Sequence, residues 1–142
     1  MTAKNLADGI APGARTTLAQ RRAQHAWNAV QRARKKSGPH REQDLDKFAA
    51  EVKKLPIRIL TSGLGKTLAY LEDVPGLLAE ISDWVLNHRY PSSNDGGNDL
   101  LDRILRGDSD FLRRVTEEVL EYSEWLTRFC EAALEGGSDG ES

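Results

Sequence analysis

The chain is poor in cysteine, in long apolar runs and, over one stretch, in acids. Cys130 is the single cysteine among 142 residues, so no internal disulfide can form and the disulfide-stapled class is excluded. No apolar run reaches the ~20 residues that a bilayer span needs, and the N-terminal MTAKNLADGIAPGAR lacks the apolar centre of a secretory signal. A reducing, cytoplasmic setting away from membranes is the expectation. From Gly9 to Arg41 there is no Asp or Glu, while Arg15, Arg21, Arg22, Arg32, Arg34, Lys35, Lys36 and Arg41 all fall there.

The opposite imbalance sits at the other end. After Thr116, Glu117, Glu118, Glu121, Glu124, Glu131, Glu135, Asp139 and Glu141 face only Arg128. The net charge of -2 and a pI near 5.9 therefore hide a cationic and an anionic pole. An acidic whole does not suit a free-standing, tight nucleic-acid binder, whereas a local block of cations suits a polyanion or an acidic protein partner at one face. Both hold if the protein contributes a few phosphate contacts to a larger assembly.

Length predicts one domain, and periodicity predicts that it is all-α: a helical bundle of about five to seven helices over residues 16–135. A flexible Ala/Gly/Pro-rich arm (1–15) precedes it, and a disordered tail (136–142) follows. From about Thr16 to Lys36, Ala23, Ala26, Trp27, Val30 and Ala33 recur at three and four, a single helical face. Arg21, His25, Asn28, Arg32 and Lys35 form the opposite, outward stripe. Ser37, Gly38 and Pro39 stop this helix.

A second helix from about Glu42 to Leu55 turns Leu45, Phe48, Ala49 and Val52 inward. Pro56 then breaks the run or opens the next turn, and the Leu-rich segment to Tyr70 reads as one kinked helix or two short ones. PIRIL has no partner with which to build a sheet. Pro75 to His88 places Leu77, Leu78, Ile81, Trp84 and Val85 inward, RYPSSNDGGN is a loop, and a short helix spans Asp99 to Leu105. Asp108 or Ser109 caps a last helix whose inward stripe is Leu112, Val115, Val119, Tyr122, Leu126, Phe129 and Ala133.

Catalytic chemistry finds little support. Gly65-Lys66-Thr67 ends like a phosphate-binding loop, but Leu60 stands where its first glycine belongs and no strand precedes it. On this reading Gly63 and Gly65 let helices meet closely and Lys66 reaches solvent. His25, His40 and His88 lie in separate elements without metal-ligand spacing, so no metal or other cofactor is expected. Cys130 reads as a small buried thiol, Glu117, Glu121 and Glu124 as a solvated face, and Trp27 and Trp84 as core residues more than base-stacking platforms. The cations suit sequence-independent phosphate contact, because Arg presents a fork of donors matched to phosphate oxygens.

Three segments, QRRAQHAWNAV, VKKLPIRILTSGLGKTLAYL and LLDRILRGDSDFLRRVTEEVLEYSEWLTRFCEAAL, resemble the small helical subunit of Cmr-type (type III-B) CRISPR-Cas effector complexes. The resemblance rests on L-P-x-x-I/L followed by G-L-G-x-x-L-A-Y-L and then W-L-x-R-F. It implies a non-catalytic, antiviral-defence subunit that stacks with further copies of itself beside other Cmr subunits and helps line a basic channel for guide and target RNA. Neither the N-terminal arm nor RYPSSNDGGN fits the family pattern. With no small-molecule substrate expected, Arg21, Arg22, Arg32, Lys35, Arg58 and Lys66 are the expected RNA contacts. The competing expectation is a free-standing helical adaptor or regulator that holds an acidic protein partner; nucleotide hydrolysis through Lys66 ranks third.

Overall fold

A computed structural model describes residues 15–91 and 99–141, with side chains up to Leu134. The expected arm over residues 1–15, apart from Arg15, and most of the RYPSSNDGGN loop lie outside the described residues. The first helix, α1 (Leu18–Lys35), starts where Thr17 and Gln20 form a reciprocal cap: Gln20 N–H donates to Thr17 Oγ1 at 3.0 Å and Thr17 N–H to Gln20 Oε1 at 2.7 Å. Two orphan amides are thereby satisfied. Its last turn carries Arg32, Arg34 and Lys35, which oppose the negative end of the helix dipole.

Helix α2 (Arg41–Tyr70) runs through Pro56 and departs from helical geometry only at Gly63, with φ 87° and ψ 160°. The kink therefore falls seven residues beyond the proline. Proline fixes a φ that a helix already uses and removes one N–H, whereas a positive φ is open to glycine at little steric cost. A short 3₁₀ turn (Leu71–Asp73) leads to α3 (Pro75–Asp83), which continues into a π-helical turn (Trp84–Arg89). Asp99 Oδ1 accepts from Leu101 N–H at 3.0 Å to start α4 (Leu100–Arg106), and Asp108 Oδ1 accepts from Phe111 N–H at 2.8 Å to start α5 (Ser109–Glu141). Of the two residues proposed to cap α5, Asp108 is the one used.

Among the described residues there is no strand, and the all-α reading holds. Helix α5 extends to Glu141, past Gly136, where the sequence reading ends the bundle and begins a disordered tail. Two glycines weaken a helix by about 1 kcal/mol each relative to alanine, but no proline forbids its continuation.

The most extensive interfaces are those of α5 with α1 and with α2, so the last helix is the spine of the bundle. Val115, Val119, Tyr122 and Leu126 are fully buried, in one cluster with Ala26, Ala29 and Val30 of α1 and Val52, Leu55 and Ile59 of α2. Each large aliphatic side chain there contributes up to ~1.5–3 kcal/mol. Leu77, Ile81, Trp84 and Val85 are buried as the spacing predicts.

The inward face of α1 differs from expectation. It comprises Arg22, His25, Ala26, Ala29 and Val30, so Trp27 moves to the rim at 37% exposure, its ring edge-on to Phe129 at 5.3 Å. Ala26 and Ala29, both fully buried, are small enough to let the neighbouring helices approach α1 closely.

Candidate nucleic-acid interface

Three of the six cations expected on RNA are committed to carboxylates. Arg22 is 9% exposed. Its Nε and Nη2 donate to Glu118 Oε2 and Oε1 at 2.5 and 2.9 Å. It is therefore a buried structural cation, contrary to the expectation of a phosphate contact. Arg32 donates through Nε and Nη2 to both oxygens of Glu80 at 2.8 and 2.7 Å, with half of its side chain in solvent. Arg58 donates to Glu51 Oε1 at 3.0 Å and lies 3.9 Å from the centroid of the Tyr70 ring. Arg21, Lys35 and Lys66 are exposed, and no carboxylate is within ion-pair reach of them among the described residues.

The sequence reading missed Glu118, although it lies one turn from Val115 and from Tyr122 on the inward stripe. A buried carboxylate at such a position demands partners, and it has them. Besides Arg22, Trp84 Nε1–H donates to Oε2 at 2.8 Å and Arg89 Nε–H to Oε1 at 2.8 Å. Burial alone would push the Glu118 carboxyl up, but hydrogen bonds from Arg22, Trp84 and Arg89 outweigh it and hold the acid below its ordinary range. Glu51 does similar service in α2, receiving Arg58 and, at 3.4 Å, the Tyr70 hydroxyl.

A second polar cluster adjoins the first. His25, placed in the outward stripe by its spacing, is buried between α5 and the end of α3. Its Nε2 lies 2.7 Å from Asp83 Oδ2 and its Nδ1 2.6 Å from the Tyr122 hydroxyl. Burial pulls the His25 pKa down despite the Asp83 hydrogen bond, and the ring's two nitrogens are divided between Asp83 and Tyr122. Burial pushes the Tyr122 hydroxyl well up. His88 joins at 3.3 Å from the same Asp83 oxygen, so two histidines treated as separate in sequence converge in space. His40 stays apart, exposed beside Gln43.

The remaining motifs resolve simply. Lys66 is exposed within α2, and Thr67, 2% exposed, gives its hydroxyl to Gly63 O at 2.9 Å. That hydroxyl is spent on the kink and unavailable to a metal-nucleotide. Gly65 is close to Leu101 of α4, whereas Gly63 has open space around it; its role is the positive φ and not close packing. Cys130 is buried, which pushes its thiol up to about 12, so it is inert as a nucleophile at neutral pH. Glu117, Glu121 and Glu124 are exposed.

Two surface grooves are each of mixed charge. One, about 410 Å³, is bordered by Arg32, Lys36 and Lys47 but also by Asp44, Asp73 and Glu80. The other, about 520 Å³, sets Arg89, Arg113 and Arg114 against Glu117, Glu118 and Glu121. Neither concentrates charge of one sign. Among the described residues no helix is long and apolar enough to cross a membrane.

Residues 18–133 match the family model described as "CRISPR-associated protein (Cas_Cmr5)". The fold resembles the crystal structure of a CRISPR-associated Cmr5 family protein from Thermus thermophilus, at 25% identity and a TM-score of 0.65, covering 83% of this chain and 97% of the other. No curated protein matches the chain.

Proposed function

This chain belongs to the Cmr5 family of CRISPR-associated proteins, and from that premise we propose that it is a non-catalytic subunit of a Cmr-type effector ribonucleoprotein. In this reading it stacks with other copies of itself beside the other Cmr subunits and lends a limited set of cations to guide and target RNA. The observation that carries the reading is the division among its cations. Arg22 and Arg32 tie α1 to α5 and α3 and Arg58 is paired within α2, while Arg21, Lys35 and Lys66 remain exposed without carboxylate partners among the described residues. Arg34 and Lys36 stand exposed beside Lys35 at the end of α1. Contacts of this kind neutralise phosphates without reading bases.

Exposed apolar side chains support docking to other subunits. Ile57 and Leu60, one turn apart on α2, are 63% and 72% exposed, and Leu105 of α4 is 72% exposed; such residues are costly in water and rewarded at an interface. The family assignment favours this assembly over a free-standing adaptor for an acidic protein. The test is the double variant Arg21→Glu, Lys35→Glu in the assembled complex. Assembly and helicity should persist while RNA retention weakens, with the log-log salt slope falling by about 1.4 for two lost single-strand contacts. An unchanged slope in an intact complex would remove these residues from the interface. Association with other subunits that survives RNase treatment, with no RNA retained beforehand, would favour the adaptor.

A further inference from the structure

Asp83, the last residue of α3, holds two imidazoles at one carboxylate oxygen. His25 Nε2 lies 2.7 Å and His88 Nε2 3.3 Å from Asp83 Oδ2, and one ligand atom from each residue lies within 4.8 Å of the other two. We propose that His25, Asp83 and His88 bind a divalent transition-metal ion, with zinc the best fit to the donors. The site would clamp α1 to the end of α3, and its existence does not depend on the RNA reading.

Four observations carry the assignment. Two imidazole nitrogens and a carboxylate oxygen form a borderline donor set that suits zinc better than calcium or magnesium, which take oxygen. With metal–ligand bonds of about 2.0–2.1 Å, neighbouring ligands of a tetrahedral ion stand roughly 3.3 Å apart. The His88–Asp83 separation already has that value, and the His25–Asp83 pair needs to open by about 0.6 Å.

The outer groups are in place as well. Asn87 Nδ2 donates to Asp83 Oδ1 at 2.6 Å, which directs the other oxygen, Oδ2, toward the imidazoles. The Tyr122 hydroxyl lies 2.6 Å from His25 Nδ1. When His25 Nε2 gives its lone pair to the ion, the ring proton moves to Nδ1 and the tyrosine oxygen accepts it, an outer-shell contact that metal-bound histidines usually have. The His88 ring stacks on Trp84 with 15° between planes. Asp83 and His88 are about half exposed while His25 is buried, so an ion can enter and water can complete its coordination.

Backbone winding supplies the last observation. Asp83 and His88 are five residues apart, and in a regular α-helix such residues point about 140° away from each other. Here the chain winds as a π-helix from Trp84 to Arg89, with Tyr90 N–H donating to Val85 O at 2.8 Å. An i→i+5 turn stacks residues five apart on one face. Single π turns are rare and concentrate at functional sites, and this one makes two ligands adjacent.

The experiment uses the full chain without a histidine tag, freed of metal. It is titrated with zinc chloride by calorimetry and with cobalt(II) chloride by visible absorption. The expected result is one ion per chain at micromolar affinity, visible cobalt bands that zinc abolishes, and a higher unfolding temperature with zinc. His88→Ala and Asp83→Asn, both at partly exposed positions, should each weaken binding at least tenfold, while His40→Ala should leave it unchanged. Absence of stoichiometric binding of either ion overturns the proposal, and so does binding that His88→Ala and Asp83→Asn leave intact.

Discussion

Removing the Arg22 side chain tests whether the cation on the inner face of α1 acts as an internal strut. In Arg22→Ala, Glu118, only 3% exposed, loses two of its four donors. Breaking a buried ion pair from one side costs about 3–5 kcal/mol, because the remaining charge is left desolvated. Arg89 and Trp84 still reach the carboxylate, so the lower end, about 3 kcal/mol, is expected. For a chain of this size 1 kcal/mol corresponds to roughly 3 °C in unfolding temperature, giving a drop of about 9 °C. Urea unfolding followed by far-ultraviolet circular dichroism should show a lower midpoint with an unchanged slope. Arg21→Ala, one residue away but exposed, should stay within ~0.5 kcal/mol of the parent. Adding Glu118→Gln should recover part of the loss, because the orphaned charge is gone. If Arg22→Ala costs less than about 1 kcal/mol and weakens RNA retention as Arg21→Ala does, the strut is refuted and Arg22 belongs on the outer surface.

The same carboxylate sets an acid response. Because the folded-state pKa of Glu118 lies below the ordinary 4.5, the unfolded chain takes up the proton first. The stabilisation is complete above that value and is lost as pH falls through the folded pKa. Urea midpoints measured down an acid series should therefore converge for the parent and Glu118→Gln; a gap that stays constant would contradict the assignment. At the kink, Gly63→Ala should cost about 1–2 kcal/mol although space surrounds the glycine, because φ there is positive. Gly65→Ala, at ordinary contact distance from Leu101, should be neutral or stabilising by up to ~1 kcal/mol. Chemical unfolding of both variants decides this, and equal effects would mean that α2 is not bent at Gly63.

The fold was legible where one signal acted alone. The stripe from Val115 to Leu126 and the run from Leu77 to Val85 predicted buried faces because apolar side chains at helical spacing have one low-energy place to go. Asp108, one of two residues expected to cap α5, marked a helix start through a side chain that a helix N-terminus needs, whereas the Thr17–Gln20 cap emerged only from the structure. The same logic failed on α1, where the spacing sets Trp27 inward with Ala26 and Val30 and puts His25 outward. Helix approach rewards small residues at the contact, which moved the inward face toward Arg22 and His25. Charge proved the least readable property. A run of cations without local acids is visible in sequence, but Glu118, Glu80 and Glu51 neutralise Arg22, Arg32 and Arg58, the first two from distant segments. Nor did any spacing rule pair His25 with His88, since 63 positions separate them and a π turn, which leaves no sequence signature, aligns Asp83 with the second.

The spine of the bundle, α5, is also made after all the described helices that pack on it. Arg22 meets its acid only when a residue 96 positions downstream is available, which at synthesis rates of about 5–20 residues per second is roughly 5–20 s after Arg22 itself is joined. Until then α1 and α2 have no complete surface on which to settle, and their apolar stripes face the ribosome, chaperones or one another. Fragments ending before Ser109 should consequently be targets for proteases, and a nascent chain stalled there gains little from the helices it already possesses.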